Sequence, residues 1–99
     1  MNIWKFPLEL KAVNRVQMPR TAKVLSVGNQ YETICVWAEV GFSPKAVAWT
    51  ERVFIMRVTG FNELGIDEAI DLQFLGTVCL RGGNFVAHIY EATKREALA

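Results

Sequence analysis

The chain has no long apolar run. No window approaches the roughly 18 apolar residues that a membrane-crossing helix needs, so a helical span is excluded. An unbroken apolar core is also missing near the start, where Met1 to Leu10 contains Lys5, Pro7 and Glu9, and no signal peptide is expected. Charge of one sign is absent too. Eleven basic residues against ten acidic leave a formal net charge of +1, which gives no electrostatic case for nucleic acid or an anionic membrane. There is one histidine, and the two cysteines, Cys35 and Cys79, lie far apart without a CxxC pattern, so the spacing of a metal site is not found and no cofactor is implied. Helical periodicity long enough for a βαβ crossover is missing as well, which sets parallel α/β folds aside.

What is present is apolar and aromatic. Of 99 residues, 52% are hydrophobic and 21% charged, and there are six Phe and three Trp. That is one domain with one core, too hydrophobic to be disordered. A core of about 13 Å radius of gyration has limited room for large rings, so some aromatics are expected at an interface.

Strand signals recur along the chain. Asn2 to Phe6 alternates and Pro7 excludes a central hydrogen-bonded position, so a short edge strand is expected. Val13 to Met18 reads as a second strand closed by Pro19. In the third, Val24 and Ser26 alternate with Leu25 and Val27, and Gly28 to Glu32 makes the reversal. Thr33 to Val40 is the best central strand of the first half, with Ile34, Val36, Ala38 and Val40 on one face and Cys35 and Trp37 on the other. Both faces look covered, and Trp37 is assigned to the core. Ala46 to Gly60 holds a short strand near 46–49 and a strong one at 52–59, or one strand with a bulge near Thr50-Glu51. Arg52 and Arg57 have opposite parities there, so at least one faces solvent. Residues 62–71 are acidic and weakly periodic, and one short helical turn near 66–71 or an ordered loop both fit.

The C-terminal pair of strands carries the firmest local reading. With Gly82 and Gly83 as a two-residue turn, Leu80 faces Phe85, Cys79 faces Val86 and Val78 faces Ala87. One face then holds Phe74, Gly76, Val78, Leu80, Phe85, Ala87 and Ile89, and the other Leu75, Thr77, Cys79, Val86, His88 and Tyr90. The fold class expected is all-β, a small antiparallel sandwich or partly open barrel of six or seven strands, with a meander as the simplest topology. Residues 1–90 form the domain and 91–99 a tail that frays unless a partner holds it.

Candidate sites are weak. Trp4, Phe6, Trp49, His88 and Tyr90 are candidates for a contact surface, the tryptophans because a large, partly polar ring buries much area at small entropic cost. Lys5, Lys11, Arg15, Arg20 and Lys23 make the N-terminal quarter basic, the basis for an alternative nucleic-acid-binding module. Cys79 as nucleophile with His88 as base is the enzymatic alternative, but the register makes them diagonal neighbours. Both cysteines are expected as buried free thiols, a disulfide between adjacent strands being the alternative. Glu63, Asp67, Glu68 and Asp71 do not match a calcium loop and read as a solvated acidic face.

Several fragments carry a resemblance: Ile3-Trp4-Lys5-Phe6-Pro7-Leu8, the Met18-Pro19 break leading into Ala22 to Val27, Ile34 to Ala38, Arg52-Val53-Phe54 with Thr59-Gly60, Phe74 to Val78, and Val86 to Tyr90. Together, over nearly the full chain, they resemble an uncharacterised family of small phage and prophage proteins. The resemblance implies a β protein acting in a bacterial cytoplasm and brings no catalytic or ligand-binding residues. Phe61-Asn62-Glu63 departs from the polar loop that follows the Thr-Gly pair in that family. The function expected is non-enzymatic: an accessory protein that binds its own copies, as a homo-oligomer, or a host or phage protein, with no membrane role.

Overall fold

The computed structural model describes residues 2–60 and 71–93. Seven strands are found among them: β1 Asn2–Pro7, β2 Val13–Pro19, β3 Lys23–Gln30, β4 Thr33–Gly41, β5 Trp49–Val58, β6 Leu72–Leu80 and β7 Phe85–Ala92. They form two antiparallel sheets that do not close into a barrel, sheet A in the order β1-β4-β3 and sheet B in the order β2-β5-β7-β6. A simple meander is therefore not the topology. Only β3–β4 and β6–β7 pair as chain neighbours, while β1 joins β4 in one sheet and β2 joins β5 in the other.

Alternation decides what fills the space between the sheets. Ile34, Val36, Ala38 and Val40 of β4 face Phe54 and Met56 of β5, Val78 and Leu80 of β6, and Ala87 and Ile89 of β7 in one buried cluster that also holds Phe6, Leu8 and Met18. Trp37 has the opposite parity and is half-buried on the outer face of sheet A, outside this cluster, contrary to its assignment to the core. Its ring lies over Gly28, where an added Cβ would sit 3.2 Å from the indole. Asn14 is the inward polar residue of β2, and the β1–β2 connection satisfies it. Its Oδ1 accepts the Glu9 N–H at 2.9 Å and its Nδ2 donates to the carbonyls of Glu9 and Lys11.

β5 is one continuous strand with unbroken register from Trp49 to Ile55 against β2, so neither a separate strand at 46–49 nor a bulge at Thr50-Glu51 is present. A short 3-10 turn, Pro44–Ala46, occupies the preceding stretch. Register irregularities lie elsewhere, at Leu25 in β3, at Leu75 in β6, and between Asn2 and Ile3 of β1, where Val40 of β4 is passed over. The first turns Val24 and Val27 both inward, correcting the simple alternation expected of β3. The second turns Leu75 towards the core and leaves Phe74 on the outer face, 55% exposed and edge-on to Tyr90. Simple alternation puts Phe74 on the apolar face, and the extra residue in the strand reverses that. Bulges favour sheet edges, and these two lie on the edge strands β3 and β6, which pack on one another.

The C-terminal hairpin keeps the expected register, with Leu80 opposite Phe85 and Val78 opposite Ala87. Its loop is longer than two residues. Arg81, Gly82 and Gly83 form a 3-10 turn in which all three have positive φ, and the Asn84 N–H donates to the Arg81 carbonyl at 3.2 Å. β7 also runs through Glu91 and Ala92, both buried, into the stretch assigned to the tail. The short helical turn considered near 66–71 lies outside the described residues apart from Asp71.

The β3–β4 turn consists of Tyr31 and Glu32, both at positive φ (51° and 65°), where glycine or asparagine would be favoured. Tyr31 is 94% exposed, so its ring contributes no packing to offset the left-handed backbone. Tyr31→Asn is expected to raise stability by about 0.5–1 kcal/mol in urea unfolding, and a loss would show that the ring is engaged.

Glu32 does work that an asparagine could not. Its carboxylate accepts the Arg81 N–H at 2.7 Å and the Asn29 amide at 2.9 Å, and Asn29 also donates to the Cys79 carbonyl, so the two hairpin turns are tied together. The hydrogen bond from Asn29, and then that from the Arg81 backbone, hold the Glu32 carboxyl below the usual carboxylate range. A native pKa below the unfolded one means that this link stabilises the fold above the ordinary value of about 4.3 and is lost as pH falls through the lower native value. The Glu32 carboxyl carbon is therefore expected to titrate below that ordinary value by NMR, with exchange of the Arg81 amide rising in step. Titration at or above it would contradict the link.

Candidate functional site

The residues singled out in the sequence do not converge. Phe6 is buried in the core and offers no contact surface, because its parity on β1 is inward. Trp4 shares that parity and is half-buried against the core, with its ring 6.0 Å from that of Trp49. Trp49 is 42% exposed, and its indole N–H donates to the Pro44 carbonyl at 3.2 Å. Ile3 and Phe42 are exposed nearby, on β1 and just past the Asn2–Gly41 pairing. The two tryptophan rings lie together beside β1, an edge strand of sheet A, and Ile3, of the opposite parity to Trp4, is on the outer face of the same strand.

His88 and Tyr90 lie on the outer face of sheet B. The two ring nitrogens of His88 are engaged by hydroxyls, Nε2 by Thr59 at 2.7 Å and Nδ1 by Thr77 at 3.0 Å. A hydroxyl can donate or accept, so either tautomer is accommodated. Tyr90 is flanked by Phe74 and by the Arg57 guanidinium, 5.2 Å from its ring centre. Behind Tyr90, Val53, Ile55 and Ala92 are buried on this same outer face.

Cys79 pairs in register with Val86, and His88 with Thr77, the diagonal relation expected. Cys79 is exposed, contrary to the buried thiol expected, because its parity on β6 is outward; Cys35 is buried and both are free. Burial pushes the Cys35 thiol up, although Lys5 opposes the shift. One equivalent of a thiol reagent is expected to react rapidly with the native protein at Cys79 and the second only on unfolding. Two fast equivalents would show that Cys35 is reachable. Among the described residues no three of His, Cys, Asp or Glu lie together as metal ligands.

The basic quarter is dispersed rather than gathered. The Lys5 ammonium donates to Gln30, Lys11 pairs with Glu9 at 3.7 Å and Arg15 with Glu51 at 3.0 Å. Arg20 and Lys23 have no side-chain partner among the described residues, and both border a cleft that sequence reading missed. At its centre Arg52 grips Glu91 in a two-pronged ion pair, the longer contact 3.0 Å, and its remaining arm donates to the Ala22 carbonyl at 2.8 Å. The two side chains are only 17% and 11% exposed. A signal was present: Arg52 shares the inward parity of Phe54 and Met56, and a cation facing a core calls for a counter-charge. Glu91 follows Ala87 and Ile89 on the inward side of β7.

Over residues 1–99 the chain belongs to a family described as a domain of unknown function (DUF7352), a match that carries no tie to phage or prophage. No curated protein and no solved structure matches it.

Proposed function

We propose that this member of an uncharacterised family is a non-enzymatic binding module that self-associates through the end of the sandwich where edge strand β1 meets Trp49. The observation that carries this reading is the exposed Ile3 and the part-exposed Trp49 beside a β-strand with one unpaired edge. An unpaired edge is a template for another strand, and a second copy of β1 related by a twofold axis supplies one. Trp4 and Trp49 then provide the large rings that anchor such contacts. Sedimentation at micromolar concentration tests it. Association is expected in the natural chain and is expected to weaken at least about tenfold in Ile3→Glu, which sets like charges against each other across the axis. A chain that stays monomeric throughout sinks the reading. A phage or prophage origin and a bacterial cytoplasmic setting belong to the same proposal and draw on the sequence resemblance alone. Neighbouring genes unrelated to replication, lysis or virion assembly would remove them.

A further inference from the structure

At one end of the sandwich the inner face of sheet B changes from apolar to polar. Thr50 and Arg52 of β5, Gln73 of β6 and Glu91 of β7 share the inward side with Phe54 and Ile89 and make a polar layer where the core stops. Two adjoining hollows of about 330 and 400 Å³ open on this layer, and both are lined by Arg52, Gln73 and Glu91. Lys23 borders the first; Arg20, Thr50 and Thr93 border the second. These volumes are in the range of sites for small molecules.

Three features of the layer suit it to hold a ligand. The first is rigidity. The turn from Arg20 to Lys23 is pinned by Arg52 on the Ala22 carbonyl, by the Ala22 N–H on the Pro19 carbonyl at 2.9 Å and by the Arg20 N–H on the Ala48 carbonyl at 2.8 Å. The second is charge. Arg20, Lys23 and Arg52 stand against the single carboxylate of Glu91, which Arg52 already neutralises. Glu39 is opposite Lys23 in register but forms no ion pair with it among the described residues. The third is donor supply. A guanidinium has five N–H groups; Glu91 and Ala22 take three of those on Arg52, leaving one on each terminal nitrogen. The Gln73 amide, opposite Glu91 in register, is without a partner among the described residues.

We propose that these hollows bind a doubly charged oxyanion, in small-molecule form a phosphate monoester, between Arg20, the free N–H groups of Arg52 and the Gln73 amide, with Lys23 at the rim. The planar fork of arginine matches phosphate geometry. Each hollow carries a surplus of one positive charge, from Lys23 and Arg52 against Glu91 in the first and from Arg20 and Arg52 against Glu91 in the second; over both it is two, against the roughly −1.5 to −2 that a phosphate monoester carries near neutrality.

The test is an NMR titration of the full chain with inorganic phosphate and with phenyl phosphate, against chloride at matched ionic strength. Both phosphates are expected to shift the amides of Ala22, Gln73 and Thr93. Arg20→Ala is expected to weaken binding at least about tenfold, as loss of a charge-assisted pair implies, and Arg20→Lys to recover part of it. Arg20 is exposed, and an unchanged unfolding midpoint shows that the variant is folded. Shifts no larger than those with chloride, or equal affinity in Arg20→Ala, overturn the proposal. If a single-stranded oligonucleotide shifts the same amides more strongly than phenyl phosphate, with steep salt dependence, the site reads a nucleic-acid backbone and the small-molecule assignment falls.

Discussion

Glu91→Ala is expected to lower stability by about 3 kcal/mol, the lower end of the range for breaking a buried ion pair. The side chains keep 11% and 17% of their exposure, so some water reaches the charge left behind. Arg52 would lose both carboxylate contacts at once while still facing a layer bounded by Phe54. The effect comes from the orphaned guanidinium more than from the worth of the pair, and a second variant separates the two. Replacing both partners, Arg52→Met with Glu91→Leu, is expected to restore most of the loss, short by about 1 kcal/mol for the Ala22 carbonyl left without its donor. The readout is the urea midpoint at unchanged slope. A loss below about 1 kcal/mol in Glu91→Ala would mean that the pair behaves like a surface one.

The second large effect is expected at Gly76. A Cβ built there lies 2.8 Å from Cγ2 of Val27 across the junction of the two sheets. Valine is stiff about its first side-chain torsion, so the backbones of β3 and β6 must part. Gly76→Ala is expected to destabilise by about 2 kcal/mol, in the range for overpacked cores. Adding Val27→Ala removes the clashing methyl, and the double variant is expected to be more stable than Gly76→Ala alone. Such a favourable coupling is the signature of direct contact in a double-mutant cycle. Additive losses would place the strain within β6 instead.

The strands were legible because each is half-buried and alternation reports burial directly. Ile34, Val36, Ala38 and Val40 were read on one face of β4, and all four are in the core. The pairing of Val78 with Ala87 followed from the glycine turn even though the loop is longer than two residues. Bulges were not legible. Leu25 and Leu75 look like any other strand residue, and the extra residue matters only against a partner strand, so alternation alone places Phe74 on the wrong face. Strand order was hidden for the same reason: local pattern gives the side of a strand but not its neighbour. The cleft was partly legible. The parity of Arg52 is readable and an inward charge calls for a counter-charge, but the helix formers that follow Glu91 make it read as part of a tail. Trp37 shows the opposite failing: both faces of β4 read as covered, but the face that holds Trp37 is the outer one and leaves its ring half-buried.

The pairings of β1 with β4 and of β2 with β5 cross one another along the chain. Asn2 reaches the Gly41 carbonyl over a separation of 39 residues, and Arg15 reaches Glu51 over 36. Neither pairing can form as a hairpin, so each must close a long loop first, and high contact order of this kind slows folding to milliseconds or longer. The order of synthesis adds an asymmetry. Sheet A has all three of its strands once Gly41 has left the ribosome, whereas β2, already made, waits for β5 before it has any partner. Met18, fully buried in the finished fold, is on that waiting strand. The nascent chain therefore passes through a stage in which a complete three-stranded sheet trails an unpaired strand with an apolar face, and that stage is where chaperone dependence or misassembly would arise.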